Sequence, residues 1–472
     1  MKLPDLGKRH IWWLYLWAGL FALLPYAHFF FWDTVQLSSL QAHWYFDQKF
    51  AFFFLPEQLD SGHPPFWGIY LALIWSVFGR SLLISHLAML PFLLGIVWQV
   101  SRFKEGNLPS GTKYWFLLWL FVDPVFAGQA IMVSPDIALL FFFIAGVRGV
   151  LEDRKWALLI AGLGLAAVSL RGMMVAAALG LFIVSRAWTT SDSKKLVKAI
   201  KGISPLIPGG LLALFFLAGH FLVKGWLGFH PDSPWAPSFE SVDVIGVLYN
   251  VAVLGWRFLD HGRVGEVIVL LIVFWILRKN LFQLLKGNDW LILFLCLAVF
   301  LLPSMLLKKG LLAHRYLLPL FISLHLFTLS FSFNLKLSFR KVLKPVVWSF
   351  LILGNLWIYP RKVSQGWEAT LAHWPYYELR NHMIEYIDEK GISLNQIGTV
   401  FPNTAQLRYI DLSERTAQFA LKDLNTNEYF FYSNVFNDLS DEEIDTLFLK
   451  WKKEKELKRG GVEVILFSAP ED

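Results

Sequence analysis

Apolar runs of roughly fifteen to twenty-two residues recur along most of the chain, separated by short segments that hold most of the lysines and arginines. Runs of that length match the hydrocarbon thickness of a bilayer and are too long and too frequent for a soluble core. The pattern predicts a polytopic membrane protein. The first run covers residues 11–31 and follows Lys2, Lys8 and Arg9. The segment 66–78 is apolar but short, and Gly79-Arg80 cuts it off from the run 81–100. Read as an interfacial or half-inserted helix, it makes a single crossing with its successor. Further spans are expected at 114–131, 137–150, 156–170, 173–187, 203–222, from near 265, at 290–307, 316–333 and about 345–359. Eleven crossings result, with the termini on opposite sides.

Charge fixes the orientation. Arg102, Lys104, Lys113, Arg148, Arg154, Lys155, Arg186, Lys194, Lys195, Lys198, Lys201, Arg278, Lys279, Lys286, Lys336, Arg340, Lys341 and Lys344 all fall on the side of the N-terminus, which the positive-inside rule makes cytoplasmic. Arg171, Arg263, Lys308, Lys309 and Arg315 fall on the opposite face against that rule, and need another reason to be there. The formal charge of +7 invites a nucleic-acid reading, but basic residues that sit mostly in short inter-helical loops answer to membrane orientation better than to a phosphate-backbone footprint. The single cysteine, Cys296, lies inside an apolar run and excludes an internal disulfide and a cysteine-based metal cluster. The first run is too long for the core of a signal peptide and lacks a small-residue cleavage site, so it is kept as a span.

From Arg361 the composition turns polar. Amphipathic periodicity predicts helices at Tyr377–Lys390 and Asp441–Lys458, with strands at Ile397–Phe401, Tyr429–Val435 and Val462–Phe467. The expected architecture is an α-helical membrane domain, 1–360, with a small extracytoplasmic α/β domain, 361–472. Between the first spans and the C-terminal domain, the loop 225–246 is rich in Pro, Gly and aromatic residues and reads as an ordered lid or interfacial loop.

Two carboxylates stand at the non-cytoplasmic ends of spans: Asp33 directly after the first, and Asp136 in AIMVSPDIALLFF at the head of the fourth. A carboxylate at that depth is costly unless it faces water, a partner or a substrate. Either residue could instead cap its helix, a role for which Asp is well suited. Carboxylates and cations together suit cleavage of a glycosyl-phosphate bond: Arg or Lys stabilises the leaving phosphate and a carboxylate takes the proton of an acceptor hydroxyl. Arg171, Lys308, Lys309 and Arg315 fit the first task and Asp33 the second, against the plainer alternative of lipid-headgroup contact. His63, held at the membrane boundary by Pro64-Pro65, is a further phosphate contact or a structural hydrogen-bonder. His261 and His314 add ligand types on the same face, but no His-x-x-His or Asp-x-Asp spacing joins them, and the metal signal is weak.

The sequence resembles the GT-C class of polyprenyl-phosphate-dependent membrane glycosyltransferases, in particular family 39, the protein O-mannosyltransferase and lipid A aminoarabinose transferase group. The resemblance is carried by WDTVQLSS after the first span, SGHPPFWGIYLALIWSVFG, GQAIMVSPDIALLFFF, the pair Arg171-Gly172 where relatives have Lys-Gly, and HRYLLPLFISL. It implies Asp33 as the principal catalytic carboxylate and Asp136 as a second one, beside which the outer-face groups His63, Arg171, Arg263, Lys308, Lys309 and Arg315 are the candidate contacts of the donor phosphate. It also implies inverting transfer of a sugar from a polyprenyl-phosphate donor to a hydroxyl of a protein, lipid or glycan, at the periplasmic face of a bacterial inner membrane. Relatives often carry Glu directly after the first Asp and Glu-Lys before Pro-Pro, where this chain has Thr34 and Gly62-His63. The rival function is a transporter or lipid flippase, which calls for charges along a two-sided pathway. A structural or sensory protein acting through 376–472 is a third.

Overall fold

The structure, a computed structural model, describes residues 11–189, 194–230, 236–363 and 366–470. Lys2, Lys8 and Arg9, and residues 231–235 of the expected lid, lie outside the described residues. Among the described residues five helices are long and apolar enough to cross a membrane: Leu82–Ser101, Leu170–Thr189, Lys195–Lys224, Asp289–Leu307 and His314–Asn334. Shorter apolar helices, Phe66–Phe78, Lys155–Val168 and Val264–Leu277 among them, complete the bundle. At its centre the helix Pro135–Glu152 is buried nearly all round, as a helix enclosed by other helices must be.

The bundle departs from the expected spans in several places, first in the run 11–31, whose helix Ile11–Leu23 stops short and leaves residues 24–31 as turn and irregular backbone outside the spanning helix. The run 114–131 is not one helix: Ser110–Val122 and Pro124–Ile131 meet at an angle of 64°. Proline forbids its predecessor the helical conformation, and Asp123, extended at φ −58° and ψ 123°, caps the second half by accepting from the amides of Val125 and Phe126. The basic segment from Lys195 is a helix, Lys195–Ile203, running into the following span. Residues 244–257 are a helix, not loop; its Val244, Ile245, Leu248 and Tyr249 are exposed, while Asn250 donates to the carbonyls of Leu306 and Lys308. The last helix, Leu337–Gly354, begins eight residues before the expected span.

The C-terminal region is a five-stranded mixed sheet with a helix against each face. The strands are β1 (Ile397–Thr399), β2 (Ala420–Leu421), β3 (Tyr429–Ser433), β4 (Lys452–Arg459) and β5 (Val462–Ser468), in the order β2-β1-β3-β5-β4. β1 pairs in parallel with β2 and β3, and β5 antiparallel with β3 and β4. Side chains alternate across β3: Phe430 and Tyr432 pack with Ile444 and Leu447 of the helix Asp441–Lys450, while Phe431 joins the main core. The helix expected over 441–458 stops at Lys450, and KKEKELKR is the exposed edge strand β4. Charged side chains on an edge strand hinder pairing with other chains.

This region is docked on the bundle. Tyr377 stacks on His28 with ring centroids 3.8 Å apart, Tyr376 lies 5.2 Å from Phe31, the Arg380 guanidinium sits 4.5 Å over Phe29, and the Phe30 amide donates to the Ile410 carbonyl. The docked segment, residues 28–31, leads directly into Asp33.

Candidate functional site

Asp33 sits in an irregular stretch of backbone. Trp32 before it is left-handed, with φ 57°, and Val35–Leu40 after it form a π-helical turn. A bulky residue at positive φ costs roughly 1–3 kcal/mol, and such conformations gather at functional sites because the surroundings enforce them. Here the enforcing contacts are local: the Thr34 hydroxyl donates to the Phe31 carbonyl at 2.6 Å, and its oxygen accepts from the Phe31 amide at 3.0 Å. Thr34 thus closes the turn that presents Asp33.

Asp136 does not cap its helix. That role falls to Ser134, whose hydroxyl accepts from the Asp136 amide and donates to Gln129. The carboxylate of Asp136 is left to accept from Arg171 Nη1 at 2.5 Å. Arg171 opens the helix Leu170–Thr189, and its neighbour Gly172 allows that helix to cross Lys155–Val168 closely: a Cβ there would lie 2.1 Å from the Leu165 carbonyl oxygen. Arg315, from the turn before the helix Leu318–Phe331, completes the group. Its Nη2 donates to Asp33, and its Nη1 lies 3.6 Å from Asp136 Oδ2. Both guanidiniums lie over the ring of Tyr316, at 4.2 and 4.8 Å. Two carboxylates and two guanidiniums from four separate stretches of chain therefore share one site, with Arg315 touching both acids.

The site opens into a cavity of about 460 Å³ lined by Asp33, His63, Arg171, Lys309, Arg315 and Glu368 among others. Asp136 lines an adjoining pocket of about 20 Å³ that shares His63, Arg171 and Arg315 with it. His63 Nδ1 accepts from the Leu170 amide at 3.3 Å, which fixes the ring beside Arg171 and leaves the proton on Nε2. Gly62 before it is left-handed, and a Cβ would meet the Gly228 carbonyl oxygen at 2.3 Å. No side chain fits where relatives have Glu.

The remaining cations divide. Lys309 lines the cavity but is largely exposed, 3.7 Å from Glu240. Lys308 does not line it and donates to the Ser241 hydroxyl. Arg263 is placed elsewhere, fully buried, with Nη2 bonded to both oxygens of Asp123 at 2.8 and 2.9 Å and its guanidinium 3.8 Å over Phe321. Arg257 and Glu368, like Asp60, His230 and Asp438, line the cavity without having been singled out in the sequence, and Tyr316 only as part of the run HRYLLPLFISL. Glu368 lies in the turn 367–369, where burial pushes its carboxyl above the usual range against the pull of Arg315 and Arg257.

Asp260, His261 and His314 bring one ligand atom each within 4.8 Å, the grouping closest to a metal site among the described residues. Arg257 argues against a divalent ion there. Its Nη1 lies 3.4 Å from both Asp260 Oδ2 and His314 Nε2, and a dication beside a buried guanidinium would have one carboxylate to balance both. A 2.7 Å bond joins His314 to Asp260, while both ring nitrogens of His261 are without a hydrogen-bond partner; the mechanism proposed below uses no metal.

A polytopic helical bundle, a charged cavity at one end of it and an α/β region closing over that cavity define a GT-C architecture. Two solved structures share it. The crystal structure of ArnT from Cupriavidus metallidurans bound to undecaprenyl phosphate matches with a TM-score of 0.55 at 12% identity, over 96% of this chain and 98% of that one. Its apo state matches with a TM-score of 0.53 at 12% identity, over 96% and 97%. No family model and no curated protein matches the sequence. The likeness is one of fold.

Proposed function

We propose that this chain is a membrane glycosyltransferase of the family 39 kind that moves a sugar from a polyprenyl-phosphate donor to a hydroxyl acceptor. The observation that carries the reading is the group Asp33, Arg315, Asp136 and Arg171 at the head of the cavity, on a fold seen with undecaprenyl phosphate in ArnT. Without donor, each guanidinium is occupied by a carboxylate. A lipid phosphate offers the same guanidiniums a denser charge and a bidentate acceptor. On arrival it takes hydrogen bonds from Arg171 and Arg315, with His63 and Lys309 at its margin, and releases Asp33 from Arg315. Asp33 then accepts the proton of the acceptor hydroxyl while that oxygen bonds to the anomeric carbon. The bond from that carbon to the phosphate oxygen breaks, and the phosphate leaves with the electron pair, its charge held by the two arginines. A single displacement of this kind inverts the anomeric centre. Asp136 keeps Arg171 in place. Residues 1–360 supply the machinery and 361–472 close over it on the side opposite the basic loops, which in the bacterial inner membrane that the resemblance implies is the periplasmic side.

Asp33→Asn preserves shape and removes the base. Consumption of lipid-linked sugar in membranes is expected to fall by about 10² to 10⁴. Unchanged turnover at unchanged protein level removes the mechanism.

A further inference from the structure

Most of the charged groups described at the cavity pair off. Asp33 and Asp136 meet Arg315 and Arg171, and Asp60 accepts from His220 and from the Gly62 amide. Glu368 is 5% exposed and lines the cavity, yet its Oε2 has no hydrogen-bond partner. A buried carboxylate oxygen without a donor is costly and calls for a reason. The backbone around it is held on several sides. The Gln129 side chain donates to the Glu368 carbonyl at 3.0 Å, a Cβ at Gly128 would lie 2.6 Å from that oxygen, and the Thr370 hydroxyl caps the next turn. The chain holds an unsatisfied acceptor in a fixed place.

We propose that Glu368 is a specificity-determining residue whose free oxygen accepts a hydrogen bond from a hydroxyl of the donor sugar. The proposal rests on the glycosyltransferase reading above and assigns its sugar subsite. A hydroxyl suits the place better than a cation, because Arg315 and Arg257 both bias the potential at Glu368 towards positive. It suits it better than a phosphate, which one carboxylate would repel. A neutral donor restores the missing bond without displacing an arginine. Glu368 comes from the C-terminal part of the chain while the phosphate contacts come from the bundle, so the two portions of the donor are read by different parts of the fold.

The test is binding of undecaprenyl phosphate, and of a panel of undecaprenyl-phosphate pentoses and hexoses with their single-deoxy analogues, to the purified full chain and to Glu368→Gln and Glu368→Asp. Wild type is expected to hold one sugar lipid above the sugar-free lipid and to lose about 10- to 100-fold in affinity when one hydroxyl is deleted. Glu368→Gln should lose a similar factor for the intact sugar lipid, become insensitive to that deletion, and bind undecaprenyl phosphate within about twofold of wild type. Glu368→Asp should recover part of the loss. Equal loss for the sugar-free and sugar-bearing lipids would mean that Glu368 acts on the arginines, and overturns the proposal. So does a variant with no loss, or one that still senses every hydroxyl. A wild type that prefers no sugar lipid over the bare phosphate is a different failure: it removes the parent reading and this subsite with it, whereas failure of the subsite alone leaves the wild-type preference standing.

Discussion

The two arginines of the site hold their carboxylates in unequal ways. Arg171 faces Asp136 and the carbonyl of Arg315, and Arg315 faces both acids. Loss of Arg171 therefore leaves Arg315 in place but removes half of the proposed phosphate cradle. Arg171→Ala is expected to weaken binding of undecaprenyl phosphate about 10- to 100-fold, the scale of a hydrogen bond to a charged group. Unaltered affinity in a direct binding assay would demote this residue to contact with surrounding headgroups. At this scale the sequence was most readable where charge stands against an apolar background: Asp33, Asp136, Arg171 and Arg315 break hydrophobic runs or the orientation rule, and the structure brings all four together. Lys308 and Arg263 break the same rule for other reasons, one at an exposed loop pairing and one in a buried ion pair. Glu368 was illegible because GWEATLAH has no periodicity against which a single acid stands out.

Among the elements, the broken helix shows what that buried ion pair does. Asp123 caps the second half, takes both bonds from Arg263 and lies 3.3 Å from His325, whose other nitrogen is 2.7 Å from Glu266. The network ties the bend to the helices Val264–Leu277 and Leu318–Phe331, the second of which begins just after Arg315. Arg263→Ala leaves Asp123 buried without its partner and is expected to destabilise the protein by about 3–5 kcal/mol. Thermal unfolding of the purified chain checks this, and a variant as stable as wild type would show that His325 alone satisfies Asp123. Nothing in the hydrophobic pattern reveals such a bend, since one aspartate before a proline scarcely interrupts an apolar run of that length. The strand β4 was hidden for the opposite reason. Its lysines and glutamates favour helix, and only pairing with β5 across Gly460-Gly461, both at positive φ, makes it a strand.

At the scale of the whole molecule, the contact between the α/β region and the bundle is built on neutral imidazoles. Burial, with His86 and His373 nearby, lowers His28 from 6.5 to about 3, and burial lowers His373 to about 4. A depressed imidazole contributes stability that is fully present above its unfolded value and is lost as pH falls through the folded one. Protection of the C-terminal region from protease is therefore expected to hold near neutrality and to fade progressively from about pH 6 towards pH 4. His28→Phe, which retains an aromatic ring against Tyr377, should flatten that slope. Protection independent of pH, in wild type and variant alike, would assign the contact to apolar packing alone.

The bond from the Phe30 amide to the Ile410 carbonyl also bears on biosynthesis. The stretch that follows the helix Ile11–Leu23 takes its shape in part from a residue translated nearly four hundred positions later. A nascent chain that has not yet reached Ile410 thus lacks one of the bonds that shape the approach to Asp33, and the candidate site takes its final geometry only after the α/β region has been made.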